Sequence, residues 1–181
     1  MKRLFTLGVV CVGLGLWGAS SGHALILVIP SNPLWTDTSL TVSSGQQLSF
    51  SASGTWNWGN SVPSFGPGGD PVWTDASDLF YSGAHHGTLI GYIGADPYQG
   101  HWLDGLFFPR STGYWNIGSS AQFTSNTSGK LWLGFNDAAV FPGGVDDNTG
   151  SVTVNIVPEP GTLALVLLGA ALLGLHRLRH R

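Results

Sequence analysis

The sequence has one cysteine, Cys11, which lies in an apolar N-terminal run. Lys2 and Arg3 precede this run, and Gly22-His23-Ala24 follows it with small residues at the positions that a signal peptidase reads. This arrangement predicts a signal peptide over residues 1–24. The exported protein then contains no thiol, which excludes disulfide bonds and thiolate chemistry.

Positive charge and glutamate are also scarce. Residues 25–156 contain Arg110 and Lys130 as their cations, and all ten acidic residues of the chain except Glu159 are aspartates in this range. The formal net charge of the range is therefore 2 − 9 = −7, against −3 for the full chain. Such a surface disfavours nucleic acid as a partner. Aspartate is a turn residue and an oxygen ligand, whereas a solvated helix would favour glutamate and lysine, so this composition points to loops and strands.

A helical hydrophobic period is missing between the two apolar ends of the chain. Short segments with strand-like patterns instead alternate with Gly, Ser, Pro and Asn clusters, which is typical of a β-sandwich or jelly roll. At about 130 residues, the range 25–156 has the length of one domain. The predicted strands are Thr38–Val42, Gln47–Ala52, Thr88–Ile93, Tyr114–Ile117, Ala121–Thr124, Lys130–Phe135 and Ser151–Ile156.

The stretch from Leu133 to Ile156 combines two predicted strands with an oxygen-rich loop. Period-2 alternation in its second strand and turn residues before it predict a hairpin that carries the loop at its end. Carboxylate and amide oxygens are the ligands that Ca²⁺ prefers, and grouped aspartates repel one another unless a cation intervenes. The same residue types also form ordinary turns, so the pattern alone leaves both interpretations open. The oxygen-bearing residues of the loop are Asn136, Asp137, Asp146, Asp147 and Asn148.

Three blocks of the sequence resemble the PA-I galactophilic lectins, small bacterial lectins that bind galactose through a calcium ion. The segment NDAAVFPGGVDDNTGSVTVNI is similar to their C-terminal calcium loop and last strand. Residues 45–70 resemble an earlier strand with its Gly-Pro-x-Gly-Asp loop, and residues 86–94 resemble the central strand. The resemblance runs from about Trp35 to Ile156. It implies an all-β, jelly-roll-like sandwich of two antiparallel sheets with a calcium loop at one end.

Carried over by position, the resemblance implies a set of calcium ligands. Asp137, Asp147 and Asn148 would bind through their side chains, and Trp58 would bind through its backbone carbonyl. The loop from Ala139 to Asp146 looks about three residues longer than in the family. A further carbonyl ligand would therefore come from any of Phe141, Pro142 or Gly143.

The sugar site implied by the resemblance is less complete. Asp137, Ala138 and Asp147 would contact the sugar, but the family's sugar-binding His and Gln have no clear counterparts in Pro71–Asp78. Trp73 lies in this segment without a strand pattern, so it is either an exposed platform for a sugar ring or an anchor that packs the loop onto the domain. Phe65 is a further candidate for the same surface, whereas Trp56, Trp115 and Trp132 are expected in the core.

The C-terminal segment, residues 157–181, resembles the PEP-CTERM sorting tail of exported proteins in Gram-negative bacteria that make extracellular polysaccharide. Pro158, Glu159 and Pro160 form its motif, and an apolar run that is short for a permanent membrane span leads to a cluster of arginines. The resemblance implies transient membrane insertion and cleavage by an exosortase-type peptidase. We expect a membrane-anchored precursor and a product at the cell surface or in the extracellular matrix.

Three functions are compatible with these features. The first is a calcium-dependent carbohydrate-binding protein, with a weak preference for galactose-type sugars or polysaccharide and with oligomerisation possible. The second is a structural protein of the polysaccharide matrix in which calcium only stabilises a loop. The third is a glycan-processing enzyme, but Gly-x-Ser-x-Gly and His-Glu-x-x-His motifs are absent. If His85 and His86 were on a strand, they would point to opposite faces and would not share one ion, so a non-enzymatic protein is predicted.

Overall fold

The computed structural model describes residues 23–59, 62–73, 81–97, 113–137 and 147–159. No helix long and apolar enough to cross a membrane occurs within these ranges. Residues 1–22 of the predicted signal peptide and residues 160–181 of the predicted tail lie outside the described part. The strands are β1 (Leu25–Pro30), β2 (Trp35–Val42), β3 (Gln47–Asn57), β4 (Leu89–Gly94), β5 (Tyr114–Asn116), β6 (Ser120–Thr124), β7 (Gly129–Phe135) and β8 (Thr149–Pro158).

The strands form two four-stranded sheets in which every paired neighbour is antiparallel. The first sheet has the order β1-β8-β3-β6, and the second has the order β2-β7-β4-β5. The prediction of an all-β sandwich of two antiparallel sheets is therefore confirmed.

Alternation along the strands places apolar side chains between the sheets. Phe50, Val154 and Ile156 from the first sheet and Leu133 and Phe135 from the second are all buried. Each large apolar side chain removed from water contributes about 1.5–3 kcal/mol, so this layer supplies the main stabilising term of the domain.

The tryptophans predicted for the core divide into two groups. Trp56 lies between the sheets, edge-on to Phe135 at 4.7 Å between ring centroids, and Trp115 stacks on Phe123 at 4.0 Å. Trp132 is also buried, but it alternates with the inward-facing leucines of β7 and therefore lies on the outer face of the second sheet. There it packs beneath the ammonium group of Lys130, 5.0 Å from the ring centroid.

The predicted hairpin between the last two strands is wrong. β7 pairs with β2 and β4 in the second sheet, whereas β8 pairs with β1 and β3 in the first. The connection over residues 136–148 therefore crosses from one sheet to the other. Apolar alternation in β8 only requires that one face meets the core, and a long loop can span the roughly 10 Å between packed sheets.

The last strand continues into the sorting motif. Pro158 pairs with Leu48, the backbone N–H of Glu159 donates to the carbonyl of Gln47 at 2.9 Å, and Ser49 Oγ donates to Glu159 Oε1 at 2.8 Å. The tail thus leaves the sandwich at the end of β8, and the crossing loop meets the start of the same strand. Ten residues at about 3.3 Å each separate these two ends by about 30 Å.

Candidate functional site

Asn136 fixes the loop that follows β7 against the turn that precedes β4. Its side-chain amide donates to the carbonyls of Tyr81 and His85 at 3.0 and 3.1 Å, and its Oδ1 accepts the N–H of Tyr81 at 3.0 Å. Its backbone carbonyl accepts the N–H of Gly87 at 2.7 Å. These bonds hold the residue after Asn136 next to the residue before Gly87.

Asp137 is the centre of the resulting site and is only 2% exposed. Its Oδ1 lies 2.6 Å from Nε2 of His86, and its Oδ2 accepts a hydrogen bond from Nδ2 of Asn148 at 2.6 Å. An ionised carboxylate only accepts hydrogen bonds, so the His86 ring donates from Nε2. Asp137 stands at the start of the crossing loop and Asn148 at its end, so their hydrogen bond joins the two ends of the loop.

Two buried polar atoms at this site lack a hydrogen-bond partner among the described residues. They are Nδ1 of His86 and Oδ1 of Asn148. Leaving a buried acceptor unsatisfied costs about 1–3 kcal/mol, so a ligand that bonded to either atom would stabilise the site.

Asp147 lies just before β8, beside Gly59, which follows the end of β3. Its carboxylate is exposed, and its Oδ2 would lie 3.1 Å from a Cβ atom built on Gly59. Trp58 directly precedes Gly59, so Asp147 lies beside the backbone segment that includes the predicted carbonyl donor. A side chain at position 59 would require the carboxylate to shift by a few tenths of an ångström.

The rings of His86, Trp58 and Trp73 pack in a row that starts at the buried Asp137 carboxylate, and we call this row the aromatic wall. The Trp58 ring stacks on the His86 ring with 4.6 Å between centroids and an interplanar angle of 11°. Trp73 packs at 5.3 Å from Trp58 with its ring tilted by 59°, and it remains 49% exposed. Trp73 is thus packed on the domain and half-exposed at once, and its use as a platform for a sugar ring stays a prediction.

Asp70 fixes the loop that carries Trp73. Its Oδ2 accepts a hydrogen bond from Trp58 Nε1 at 3.4 Å, and its Oδ1 accepts the N–H of Val72 at 2.9 Å. Its own N–H donates to the carbonyl of His86 at 2.8 Å. Asp70 therefore holds the loop of Trp73 against Trp58 and His86 through three hydrogen bonds.

Phe65, the further candidate for the same surface, is only partly buried and packs against the core. Phe65 forms an isolated bridge with Trp56, and its ring packs 6.4 Å from that of Phe135 at the edge of the core. The ring fills the space beside Gly87, where an added Cβ atom would overlap with it. Gly87 has a φ of 74°, a conformation that favours glycine, and this turn directs His86 towards Asp137.

The structure thus brings Trp58, Trp73, Asp137, Asp147 and Asn148 to one end of the sandwich. The predicted sugar contact Ala138 lies outside the described residues, as do Asp146, Pro160 of the sorting motif and the three alternative carbonyl donors Phe141, Pro142 and Gly143.

Sequence reasoning missed His86 as part of this site. It considered His85 and His86 only as neighbours on a strand that could not share an ion, whereas both precede β4 in a turn and His86 is buried. The one sequence signal was the glycine that follows, because a tight turn before a buried strand can aim a side chain into a site.

The described donors at this end of the sandwich are oxygen atoms, which a hard cation prefers. No group of three or more His, Cys, Asp or Glu side chains that could hold a metal ion occurs within the described ranges. Two carboxylates, one amide oxygen and backbone carbonyls remain, and Ca²⁺ accepts such all-oxygen sets. The unpartnered Oδ1 of Asn148 fits this use.

Comparison with known proteins adds two findings. Residues 157–181 match the family model of the PEP-CTERM protein-sorting motif. Eight solved chains match the structure, among them one described as "EclA N-terminal domain; PllA-like lectin", with a TM-score of 0.50 and 16% sequence identity. That match covers 75% of this chain and 96% of the other, and at this identity it shows a shared fold alone. A comparison with curated proteins gave no match.

The sorting motif marks the chain as an exported protein that is anchored through its C-terminus and processed by an exosortase at the cell surface, and its domain is a β-sandwich similar to that of a PllA-like lectin.

Proposed function

We propose that this surface protein binds carbohydrate through a calcium ion at the end of the sandwich opposite its tail. The side chains of Asp137, Asp147 and Asn148 and the carbonyl of Trp58 would hold the ion. One observation carries the proposal. The buried carboxylate of Asp137 accepts a hydrogen bond from Nδ2 of Asn148 at 2.6 Å, and Oδ1 of Asn148 has no partner among the described residues.

The aromatic wall supplies the second element of a sugar site. A sugar ring has an apolar face that packs on aromatic side chains and hydroxyls that complete the coordination of a cation. Trp73 is exposed next to the proposed ion site, and Asp70 fixes its loop through hydrogen bonds to Val72 and His86. Two adjacent hydroxyls on the ion and charge-assisted bonds to Asp137 and Asp147 would select sugars by stereochemistry, with galactose-type rings as our first candidates.

The lectin-like fold of the EclA domain supports a binding role rather than a catalytic one. Affinity for one monosaccharide should be modest because little area is buried, and many copies on a surface would raise the effective affinity for a polysaccharide. The role outside the cell would then be attachment to extracellular polysaccharide.

Isothermal titration calorimetry with a panel of monosaccharides, in calcium and in chelator, tests the proposal. We expect binding in calcium, loss of binding in chelator and loss of binding in Asp137→Asn. If calcium itself binds but no monosaccharide or polysaccharide does, the protein is instead a structural component of the matrix with a calcium-stabilised loop. Hydrolysis of a glycan in the calorimeter cell would identify an enzyme.

A further inference from the structure

The free edge of β1 differs from the other three sheet edges of the described domain. β2 has a register shift between Asp37 and Thr41, β5 is only three residues long, and β6 exposes polar side chains. Bulges, short length and polar side chains are the devices by which edge strands avoid pairing with other chains. β1 has six residues, an unbroken register with β8 from Leu25 to Pro30, and no charged side chain.

The outward side of β1 is apolar. Ile26 is 67% exposed and Val28 is 61% exposed, and both alternate with the inward-facing Leu25, Leu27 and Ile29. A long, regular and apolar edge strand exposed to solvent is a site for strand addition.

The surroundings of this edge show which partner it fits. In the outward rows of the first sheet, Ile26 pairs with Asn155 and then Ser51, and Val28 pairs with Thr153 and then Ser53. These rows contain no charge, although residues 25–156 have a formal net charge of −7 (2 − 9). Two copies of so acidic a domain repel each other over most of their surfaces, but they can approach along this edge, whose side chains carry no charge.

We infer that β1 pairs antiparallel with β1 of a second copy, so that two first sheets join into one eight-stranded sheet. A two-fold axis between the strands makes the contact self-complementary, as in most homodimers. With the axis at Leu27, Ile26 of one copy would lie beside Val28 of the other, and each exposed aliphatic side chain would gain a cross-strand apolar neighbour.

Antiparallel pairing sets the direction of both copies. In each copy Pro30 pairs with Ser151 near the Asp137 site, and Leu25 pairs with Ile156 near the tail. The two sites of a dimer would therefore point in opposite directions, and so would the two tails. Two tails that point apart do not enter one flat membrane together, so dimerisation follows release from the precursor, and a released dimer can bridge two ligands.

Analytical ultracentrifugation of the processed protein, recovered from outside the producing cell, tests this inference in a concentration series. We expect a reversible dimer, and Val28→Lys should raise the dimer Kd by about tenfold or more because it places two like charges at the joint. Thr153→Lys is the matched control, since it adds the same charge on the same face one strand further in. It should leave the dimer intact, and circular dichroism should show both variants folded.

Three results would overturn edge pairing. A wild-type protein that stays monomeric throughout the series rules out a second copy as the occupant. A dimer lost in Thr153→Lys but kept in Val28→Lys would show that the sheets stack face to face. Monomeric protein that binds phospholipid vesicles through Val28 would assign the apolar edge to the membrane surface. None of these results bears on whether calcium or sugar binds at Asp137.

Discussion

His86 donates a hydrogen bond from Nε2 to Oδ1 of Asp137 over 2.6 Å, and Trp58 stacks on a face of the same ring with 4.6 Å between centroids. One buried side chain therefore connects the carboxylate of the proposed ion site to the aromatic wall. A ligand that changes the position of Asp137 should also be felt by the tryptophans.

We predict that the hydrogen bond and the stacking contact of His86 can be separated by substitution. His86→Phe keeps an aromatic ring against Trp58 but removes the donor, so the free energy of unfolding should fall by about 1–3 kcal/mol. His86→Gln keeps a donor and loses the stacking, so it should cost less and should weaken the response of tryptophan fluorescence to calcium. Urea denaturation and fluorescence titration measure the two effects. If His86→Phe unfolds like the wild type, the short bond to Asp137 does not stabilise the site.

The second prediction concerns calcium as a stabiliser of the folded state. An ion that binds only the folded protein raises its stability by about 2.7 kcal/mol at a hundredfold excess over Kd. Asp137→Ala and Asp147→Ala should each remove most of this gain. Asp37→Ala is the control, because Asp37 is exposed and bonds to Lys130 at 3.0 Å away from the site. Melting curves with calcium and with chelator show the difference, and identical curves for the wild type and Asp137→Ala would mean that the crossing loop is only a connection.

Strand periodicity predicted the fold better than it predicted the connections. The alternation of Val152, Val154 and Ile156 correctly indicated a strand with one face on the core, and the structure places all three in the core. The same pattern does not record which sheet the strand joins, so the hairpin with β7 was wrong. Hydrogen-bond partners in a sheet are set by long-range packing and not by local sequence.

β1 was missed for a related reason. Its sequence LILVIP has no alternation to reveal a strand, and it follows the predicted signal peptide directly. The structure explains why both faces of β1 are apolar, because one face meets the core and the other is exposed at a sheet edge.

The sequence predicted those residues of the candidate site whose side chains carry oxygen donors. Asp137 and Asn148 stand out as oxygen donors in any reading of the loop, and the structure joins them. His86 and the inward turn of Phe65 depend on the conformation at Gly87, which brings a distant turn beneath the loop. That relation exists only in three dimensions.

The third prediction separates sugar binding from ion binding. Trp73→Ala removes the half-exposed ring without touching a proposed calcium ligand, so affinity for a sugar should fall by about tenfold while calcium-dependent stabilisation stays unchanged. Val72→Ala is the neighbouring control, since Val72 is exposed in the same loop and should have little effect. Calorimetry with sugar and melting curves with calcium report the two properties. Loss of calcium stabilisation in Trp73→Ala would show that the residue is mainly a loop anchor.

The last prediction concerns processing at the two ends of the domain. The exported protein should begin near Leu25, which pairs with Ile156, and should lose its tail near Pro158 to Pro160. Because Glu159 is bonded to Gln47 and Ser49, part of the sorting motif is held on the sheet before cleavage. A peptidase that needs the motif in extended, free form must first detach this end of β8.

Ser49→Ala removes the side-chain bond to Glu159 and should therefore speed the conversion of precursor to product in a pulse-chase experiment. Ser51→Ala is the control, because Ser51 lies on the same outer face but pairs with Asn155, inside the strand and away from the motif. Intact mass of protein recovered outside the cell gives both termini. Equal conversion rates for the two variants would show that the peptidase acts without detaching the strand, and residues 161–181 still attached to released protein would contradict cleavage at the motif itself.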